Sequence, residues 1–362
     1  MRVTFVMDGG DNLSGGHRHI AIFADGLRRR GHSVFLLARP QRPPGLRDRI
    51  RSVLKREPLA SAPKSGASHF RDLGVPLNIL PRWVPVGNAD LPDADVVVAT
   101  WWETVDWVWE LAPSKGVKVH LMQDYEIWGG RIDEVDRSCA RPIPKIVTSP
   151  WLPEFLATQF HQKTLALAEP GVSHTVFHAE PREKQSVPTF GMIYSDVPRK
   201  GSDISIEAVR LARQTVPEIR LVAAGSMQVS KHLPLPAGTY YEPYASDEKL
   251  RDLYRQCDAW LFGTRREGFG FPILEAMACR TPVIGTPAGA APKLLRNGAG
   301  ILTNAEDPQE MARAILKICR LSGMDWKAMS DTAAATAASY TWDDSVDKFE
   351  AALKPLVGHS GD

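Results

Sequence analysis

Asp258-Ala-Trp-Leu-Phe-Gly-Thr-Arg-Arg-Glu267-Gly-Phe-Gly-Phe-Pro-Ile-Leu-Glu275-Ala-Met-Ala-Cys-Arg-Thr-Pro-Val-Ile-Gly-Thr286 is the stretch that decides the fold of this chain. Its apolar run at 259–263 predicts a strand, the glycines a turn, 272–278 a helix and 282–285 a second strand. Pro272 suits the first helical position, which puts Glu275 in the first turn and Glu267 in the loop before it. Gly268 and Gly270 allow the backbone to approach a ligand closely, and the N–H groups at the helix start can hold a diphosphate. A carboxylate beside such a site can accept hydrogen bonds from ribose or sugar hydroxyls. In the bland alternative, Glu275 only complements the helix dipole and the glycines only turn the chain.

Working outward, the same alternation of strand and helix recurs on both sides. Upstream it reads strand 3–7, Gly-rich loop 8–16, helix 17–30 and strand 33–38, with Ile20, Phe23, Ala24 and Leu27 on one helical face and Gly31 as its C-terminal cap. Further strands are expected at 95–100, 117–122 and 145–149, with a helix at 103–111. Residues 40–67 are rich in Pro, Arg and Ser and read as a partly helical excursion. The Pro- and charge-rich segment 169–185 reads as an interdomain connection. A second series then begins: strands at 189–194, 220–224 and 259–263, and helices at 202–215, 247–255, 272–278 and 308–321. Strands alternating with helices imply parallel sheets covered on both faces.

The 362 residues suit two α/β domains of ordinary size. With 44 Lys and Arg against 42 Asp and Glu, no large net field argues for nucleic acid as a partner. The cysteines Cys139, Cys257, Cys279 and Cys319 are far apart, without CxxC or zinc-like spacing, which fits a reducing cytoplasm. The first residues lack the apolar stretch of a secretory signal, and no apolar run has membrane-spanning length.

The motif resembles that of the retaining GT-B glycosyltransferases of the family "glycosyl transferases group 1", which includes bacterial mannosyl-, glucosyl- and rhamnosyltransferases. Glu267-x7-Glu275 with Gly268-Phe269-Gly270, followed by Glu-Ala-Met-Ala at 275–278 and Pro-Val-Ile at 282–284, carries the resemblance most specifically. Weaker likeness lies in Gly15-Gly16, Pro170-Gly171-Val172 with Phe177, Lys200-Gly201 and Tyr340-Thr-Trp342. The resemblance implies an α/β GT-B fold: two facing Rossmann-like domains with parallel sheets and a C-terminal helix crossing back to the first. Residues 1–172 would be the acceptor-binding domain, 173–342 the nucleotide-sugar-binding domain, and helix 343–358 would pack back on the first. It also implies metal-independent transfer, with retention, of a hexosyl group from a UDP-, GDP- or dTDP-linked sugar to a saccharide, lipid-linked or small-molecule acceptor. No cofactor and no metal are implied.

By the same resemblance, Glu267 contacts the transferred sugar, Glu275 binds the ribose, and Gly268, Phe269 and Gly270 supply backbone contacts. Lys200 matches the family's basic residue that neutralises the leaving diphosphate, a charge that must be stabilised as it develops. The family's second cation, an Arg directly after the Gly of the preceding strand, is absent: this chain has Gly191-Met192. Arg199 is the first candidate to replace it, with Arg265 and Arg266 behind it. A non-catalytic GT-B subunit that binds a nucleotide sugar or a partner enzyme is the alternative that Met192 keeps open.

Other segments carry further expectations. Gly15-Gly16 opens the first helix without the G-x-G-x-x-G spacing of a dinucleotide site, and in the family this turn faces the donor phosphates. Gln123-Asp-Tyr-Glu126 follows a strand end, where open α/β sheets bind ligands; it resembles rhamnosyltransferase-like members. Asp124 is the candidate for the donor sugar and Glu126 for the acceptor, with a capping role as the alternative for either. Trp101 and Trp102 follow another strand end and offer an acceptor-stacking surface or, equally, core. Asp93-Ala-Asp95 precedes a strand and reads as a turn rather than a metal motif. His17 and His19 point in different directions from a helix start, which argues against a metal site. The basic, partly apolar segment 47–57 suits an anionic membrane surface or a solvated helix face, so a peripheral place at the inner face of a membrane is open.

Overall fold

The computed structural model describes residues 1–10, 14–43, 68–71 and 73–358. The expectations for 47–57, and for most of 40–67, fall outside the described residues. The chain divides into two compact units: Met1–Val147 with Pro153–Ala168 and the residues from Val346 onward, and Thr148–Leu152 with Glu169–Ser345.

The N-terminal unit holds a seven-stranded sheet built from β1 (Arg2–Met7), β2 (Ser33–Ala38), β3 (Leu77–Ile79), β4 (Val96–Ala99), β5 (Val117–Met122), β6 (Lys145–Val147) and β7 (Thr164–Leu167). Their order is β3-β2-β1-β4-β5-β6-β7, and every pairing is parallel. All four residues of β4, Val-Val-Val-Ala, are buried. Parallel strands covered by helices on both faces call for such unbroken apolar runs. The first helix, Gly15–Arg29, starts two residues before the expected His17 because Ser14 caps it, its Oγ accepting the His17 N–H at 3.3 Å.

The C-terminal unit repeats the plan with β8 (Thr189–Ile193), β9 (Arg220–Gly225), β10 (Tyr240–Pro243), β11 (Ala259–Phe262), β12 (Val283–Gly285) and β13 (Gly300–Leu302), ordered β10-β9-β8-β11-β12-β13. Both sheets therefore carry the doubly wound order in which the third, second, first, fourth, fifth and sixth strands are neighbours. Such sheets bind ligands at the carboxyl ends of their first and fourth strands, where the order reverses.

The helix Trp342–Val357 begins against the C-terminal unit, where Trp342 lies 5.8 Å from Phe271 between ring centroids. Farther along, Val346, Phe349 and Leu353 enter the N-terminal core, and Phe349 stacks on Phe23 at 4.5 Å and Phe5 at 6.0 Å. The segment 169–185, expected as a connection, is instead fastened to the C-terminal unit. Phe177 is fully buried in that core, Val172 N–H donates to Tyr340 O, and Lys293 pairs with Glu169 at 2.6 Å.

Short edge strands β3, β7, β10 and β13 and the helices Ile132–Ala140 and Gly323–Ala338 go beyond the sequence expectations. Three- and four-residue strands show too little periodicity to read, and they exist by pairing with a neighbour. Helix Gly323–Ala338 is rich in Ala and has no clear apolar stripe; burial of Trp326, Ala333 and Ala337 holds it.

Candidate active site

At the carboxyl ends of β8 and β11 two turns of the C-terminal unit meet. The chain leaves β8 through a turn at Pro198–Lys200 and enters helix Ser202–Ala212, while the loop after β11 leads into helix Phe271–Ala278. Gly201 joins turn to helix at φ 61, and a Cβ there would collide with the carbonyl oxygen of Gly263. Only glycine combines that dihedral with so close an approach. The approach lets Arg265 and Arg266 N–H groups both donate to Arg199 O, at 2.9 and 3.3 Å.

The contact this creates is between two residues singled out from sequence: Lys200 Nζ lies 2.6 Å from Glu267 Oε2, with side-chain exposures of 32% and 18%. A half-buried cation and carboxylate at this distance form a charge-assisted pair whose members can be drawn apart by a ligand carrying complementary charge.

The loop Gly268-Phe269-Gly270 is pinned by its carbonyls. Trp151 Nε1 donates to Gly268 O at 3.0 Å, Ala290 N–H to Phe269 O at 2.9 Å and Ile273 N–H to Gly270 O at 3.0 Å. In a trans peptide the C=O and the following N–H point in opposite directions. The N–H groups of Phe269 and Gly270 therefore face away from Trp151 and Ala290, at the start of helix Phe271–Ala278, where an anion is favoured. Gly270 makes this turn at φ 100.

Glu275 is not in the first helical turn, as the sequence suggested. The helix begins at Phe271 with Gly270 as N-cap and Pro272 second, so Glu275 is its fifth residue, one position deeper and just past the first turn. It is 6% exposed, and its Oε2 accepts from the Tyr254 hydroxyl at 2.9 Å.

Met192 is buried in β8 and supplies no charge. Arg265 is engaged twice over, bidentate to Asp203 at 2.8 and 2.7 Å and paired with Glu306, and a further N–H reaches Pro198 O. These carboxylates hold its pKa above the ordinary arginine value, so as a free cation for a diphosphate it is corrected to a brace for the Pro198–Lys200 turn. Arg199 is half-buried on the turn beside Lys200, and Arg266 is half-buried on the facing loop.

The remaining candidates belong to the N-terminal unit. Gly15 and Gly16 open the first helix, and Gly16 faces the Gln123 side chain, so the loop 123–126 lies against that turn. Asp124 is 7% exposed, with Oδ1 accepting the Tyr125 N–H at 2.8 Å. Glu126 is 6% exposed and accepts the Trp102 N–H at 2.9 Å. Burial pushes its carboxyl well above the usual range, against the pull of that N–H. Trp102 is buried, whereas Trp101, the N-cap of helix Trp102–Trp109, is half-buried over Gly129. Asp95 is occupied by Arg2 and Asp93 by Lys115, as a structural turn requires. Among the described residues no group of three or more His, Cys, Asp or Glu side chains is placed to hold a metal ion.

Sequence reasoning missed Trp151, Tyr254 and Ala290, which support the site without touching its motif in sequence. It also missed Arg39 at the end of β2, buried between Asp8 at 2.7 Å and Glu103 and flanked by the Trp83 and Trp107 rings at 4.4 Å each.

Residues 174–334, which contain Lys200, Glu267 and Glu275, match the family model "Glycosyl transferases group 1". The match lies within the C-terminal unit. The D-inositol 3-phosphate glycosyltransferases of Mycobacterium tuberculosis and Mycobacterium bovis are 28% identical to the chain over 175 residues, covering 44% of this chain and 36% of theirs. The match thus spans about a third of the length of those curated relatives. Among solved structures, sucrose-phosphate synthase from Thermosynechococcus elongatus superposes with a TM-score of 0.73 at 16% identity, covering 99% of this chain and 100% of that one. Anabaena HepE, in complex with UDP and glucose, gives 0.72 at 17% identity and covers 98% and 100%. These likenesses show the fold, a pair of parallel-sheet Rossmann-like domains as in GT-B glycosyltransferases.

Proposed function

We propose that the chain is a retaining, metal-independent glycosyltransferase that moves a hexosyl group from a nucleotide-diphosphate sugar to a hydroxyl acceptor. The reading is carried by the Lys200–Glu267 contact at the ligand-binding end of the C-terminal sheet. On donor binding Lys200 shares its charge with the diphosphate, whose oxygens also take the Phe269 and Gly270 N–H groups. The bond between the anomeric carbon and the diphosphate oxygen breaks as the acceptor oxygen bonds to that carbon, and the acceptor's hydroxyl proton leaves with the diphosphate. Glu267 orients the sugar, Glu275 binds the ribose, and Arg199 supports Lys200. Asp124 and the Gly15-Gly16 turn are assigned to the donor sugar and phosphates, and Trp101, Trp102 and Glu126 to the acceptor. The burial of Trp102 and Glu126 leaves Trp101 the best placed of these three.

Incubation with UDP-, GDP- and dTDP-sugars, followed for slow hydrolysis, tests the reading. Glu275→Ala is expected to weaken nucleotide binding and Glu267→Ala to lower turnover; unchanged binding and rate in both would refute the assignment. The buried Met192, where the family has a cation, favours a second reading, a non-catalytic subunit that binds a nucleotide sugar. Tight binding of a nucleotide sugar with no turnover would decide for it. The four cysteines are free thiols, consistent with the cytoplasmic place we assign, and no helix of the described residues is long and apolar enough to cross a membrane. A rhamnosyl donor rests on the sequence Gln123-Asp-Tyr-Glu126, and turnover of dTDP-rhamnose in the same panel tests it.

A further inference from the structure

The C-terminal unit contains three tyrosines whose hydroxyls are held inside it. Tyr194 donates to Leu233 O at 2.7 Å and Tyr241 to Met227 O at 2.5 Å, the ordinary way for a phenol to be satisfied. Tyr254 instead donates to a carboxylate, Oε2 of Glu275 at 2.9 Å, where both side chains are buried. Its ring is fixed on two sides, with Trp260 at 4.4 Å and Phe177 at 6.1 Å between centroids. Its carbonyl accepts the Thr281 hydroxyl at 2.6 Å, which ties helix Asp247–Arg255 to the strand-entry turn after helix Phe271–Ala278. Along its helix Glu275 is flanked by the buried Ile273, Leu274, Ala276 and Met277.

We infer that Tyr254 is a positioning residue of the nucleotide site: by taking Oε2 it sets the orientation in which the Glu275 carboxylate meets the ribose hydroxyls. The inference rests on the assignment of Glu275 to the ribose. Rigid donors that fix a ligand-binding carboxylate reduce the freedom it loses when the ligand arrives. Burial, reinforced by the Glu275 charge, pushes the phenol's pKa well above its ordinary value, so the hydroxyl keeps its proton and remains a donor.

Titration calorimetry of the full chain with UDP, GDP and their 2′,3′-dideoxy counterparts tests this, using Tyr254→Phe and Glu275→Gln. The ring, its contacts and the fold are kept in Tyr254→Phe. It is expected to weaken the preferred ribonucleotide about 5- to 10-fold, less than the full loss of a hydrogen bond to a charged group because the carboxylate itself remains. The dideoxy form should change by less than about twofold, so that the preference for a ribose narrows. Partial unfolding would weaken both ligands alike. Equal weakening of both, or a ribonucleotide affinity within about twofold of the unaltered protein, overturns the positioning role. A ribose-specific loss in Glu275→Gln would then leave the assignment of Glu275 standing. Should Glu275→Gln itself bind both forms as the unaltered protein does, the ribose assignment falls, and the inference falls with it.

Discussion

The two sheets share one strand order, yet the ends of their first and fourth strands are furnished in opposite ways. In the C-terminal unit that place holds one lysine against one carboxylate, beside a loop whose carbonyls are all bonded inward. In the N-terminal unit the same place holds Asp8 after β1 and Glu103 after β4, and both are taken by Arg39, which follows the neighbouring β2, is 5% exposed at its side chain and is flanked by two indoles. The first arrangement leaves donors for a ligand, whereas in the second the guanidinium's partners are already supplied by the chain. A doubly wound sheet thus offers a location, and the side chains delivered there decide whether it stays open to a ligand or is closed by internal ion pairs.

Breaking each arrangement should have a different consequence. Lys200→Ala is expected to lower turnover of a nucleotide sugar about 100- to 1,000-fold, the scale of losing one donor to a developing oxyanion, while leaving the melting temperature nearly unchanged. Arg39→Ala should do the reverse. It strands Asp8 and Glu103 together and is expected to cost about 3 kcal/mol of stability by denaturant unfolding, with nucleotide affinity retained. A melting loss in the first variant, or a lost nucleotide site in the second, would erase the contrast between the two places.

Gly201→Ala should fall between these two in kind. Its φ of 61 and the close Gly263 carbonyl make any side chain strained, so about 2 kcal/mol of stability should be lost together with activity, because Lys200 moves with the turn. Retention of full activity would show that the turn does not set the Lys200–Glu267 pair.

A further contrast concerns acid. His19 and His120, both in the N-terminal unit, are buried, and burial lowers the pKa of each from 6.5 to about 3. In that window the folded unit binds fewer protons than the unfolded chain, so its stability falls as pH drops from 6.5 toward 3. Each histidine contributes a slope of up to about 1.4 kcal/mol per pH unit, and His120→Gln should flatten the acid limb by that much. In the C-terminal unit the buried Asp258 carboxyl is raised, mainly by desolvation; it contributes stability that is present at low pH and lost as pH rises. Acid should therefore melt the N-terminal unit first, and simultaneous loss of both would remove this distinction.

Part of this architecture is legible in the sequence alone. β5 at Val117–Met122 and the helix Asp247–Arg255 match their expected bounds residue for residue, the first as a mainly apolar strand interrupted by Lys118 and His120 and the second as an amphipathic helix begun by a Ser246 cap. Lys200 and Glu267 stand out because each sits in a short pattern around glycine. Their contact does not, since 67 residues separate them. The same is true of Trp151 and Gly268, 117 residues apart, and of the Arg265 brace to Asp203 and Glu306. Glu275 lies one position deeper than a helix begun at Pro272 implies, because the helix starts at Phe271, directly after Gly270 at φ 100.

By itself the sequence determined the alternation of strands and helices, the doubling of the architecture and the motif that carries the charged and glycine positions. These are local properties, written in periodicity, caps and turn residues within a dozen neighbours. Tertiary structure alone decided which charges are neutralised within the chain and which remain for a ligand. Arg265 is consumed by two carboxylates, Arg39 is enclosed by two more, and Lys200 is left on a glutamate that a ligand can compete with. An ion pair depends on distance and burial rather than on position along the chain, so it becomes definite only when the sheets bring distant turns together.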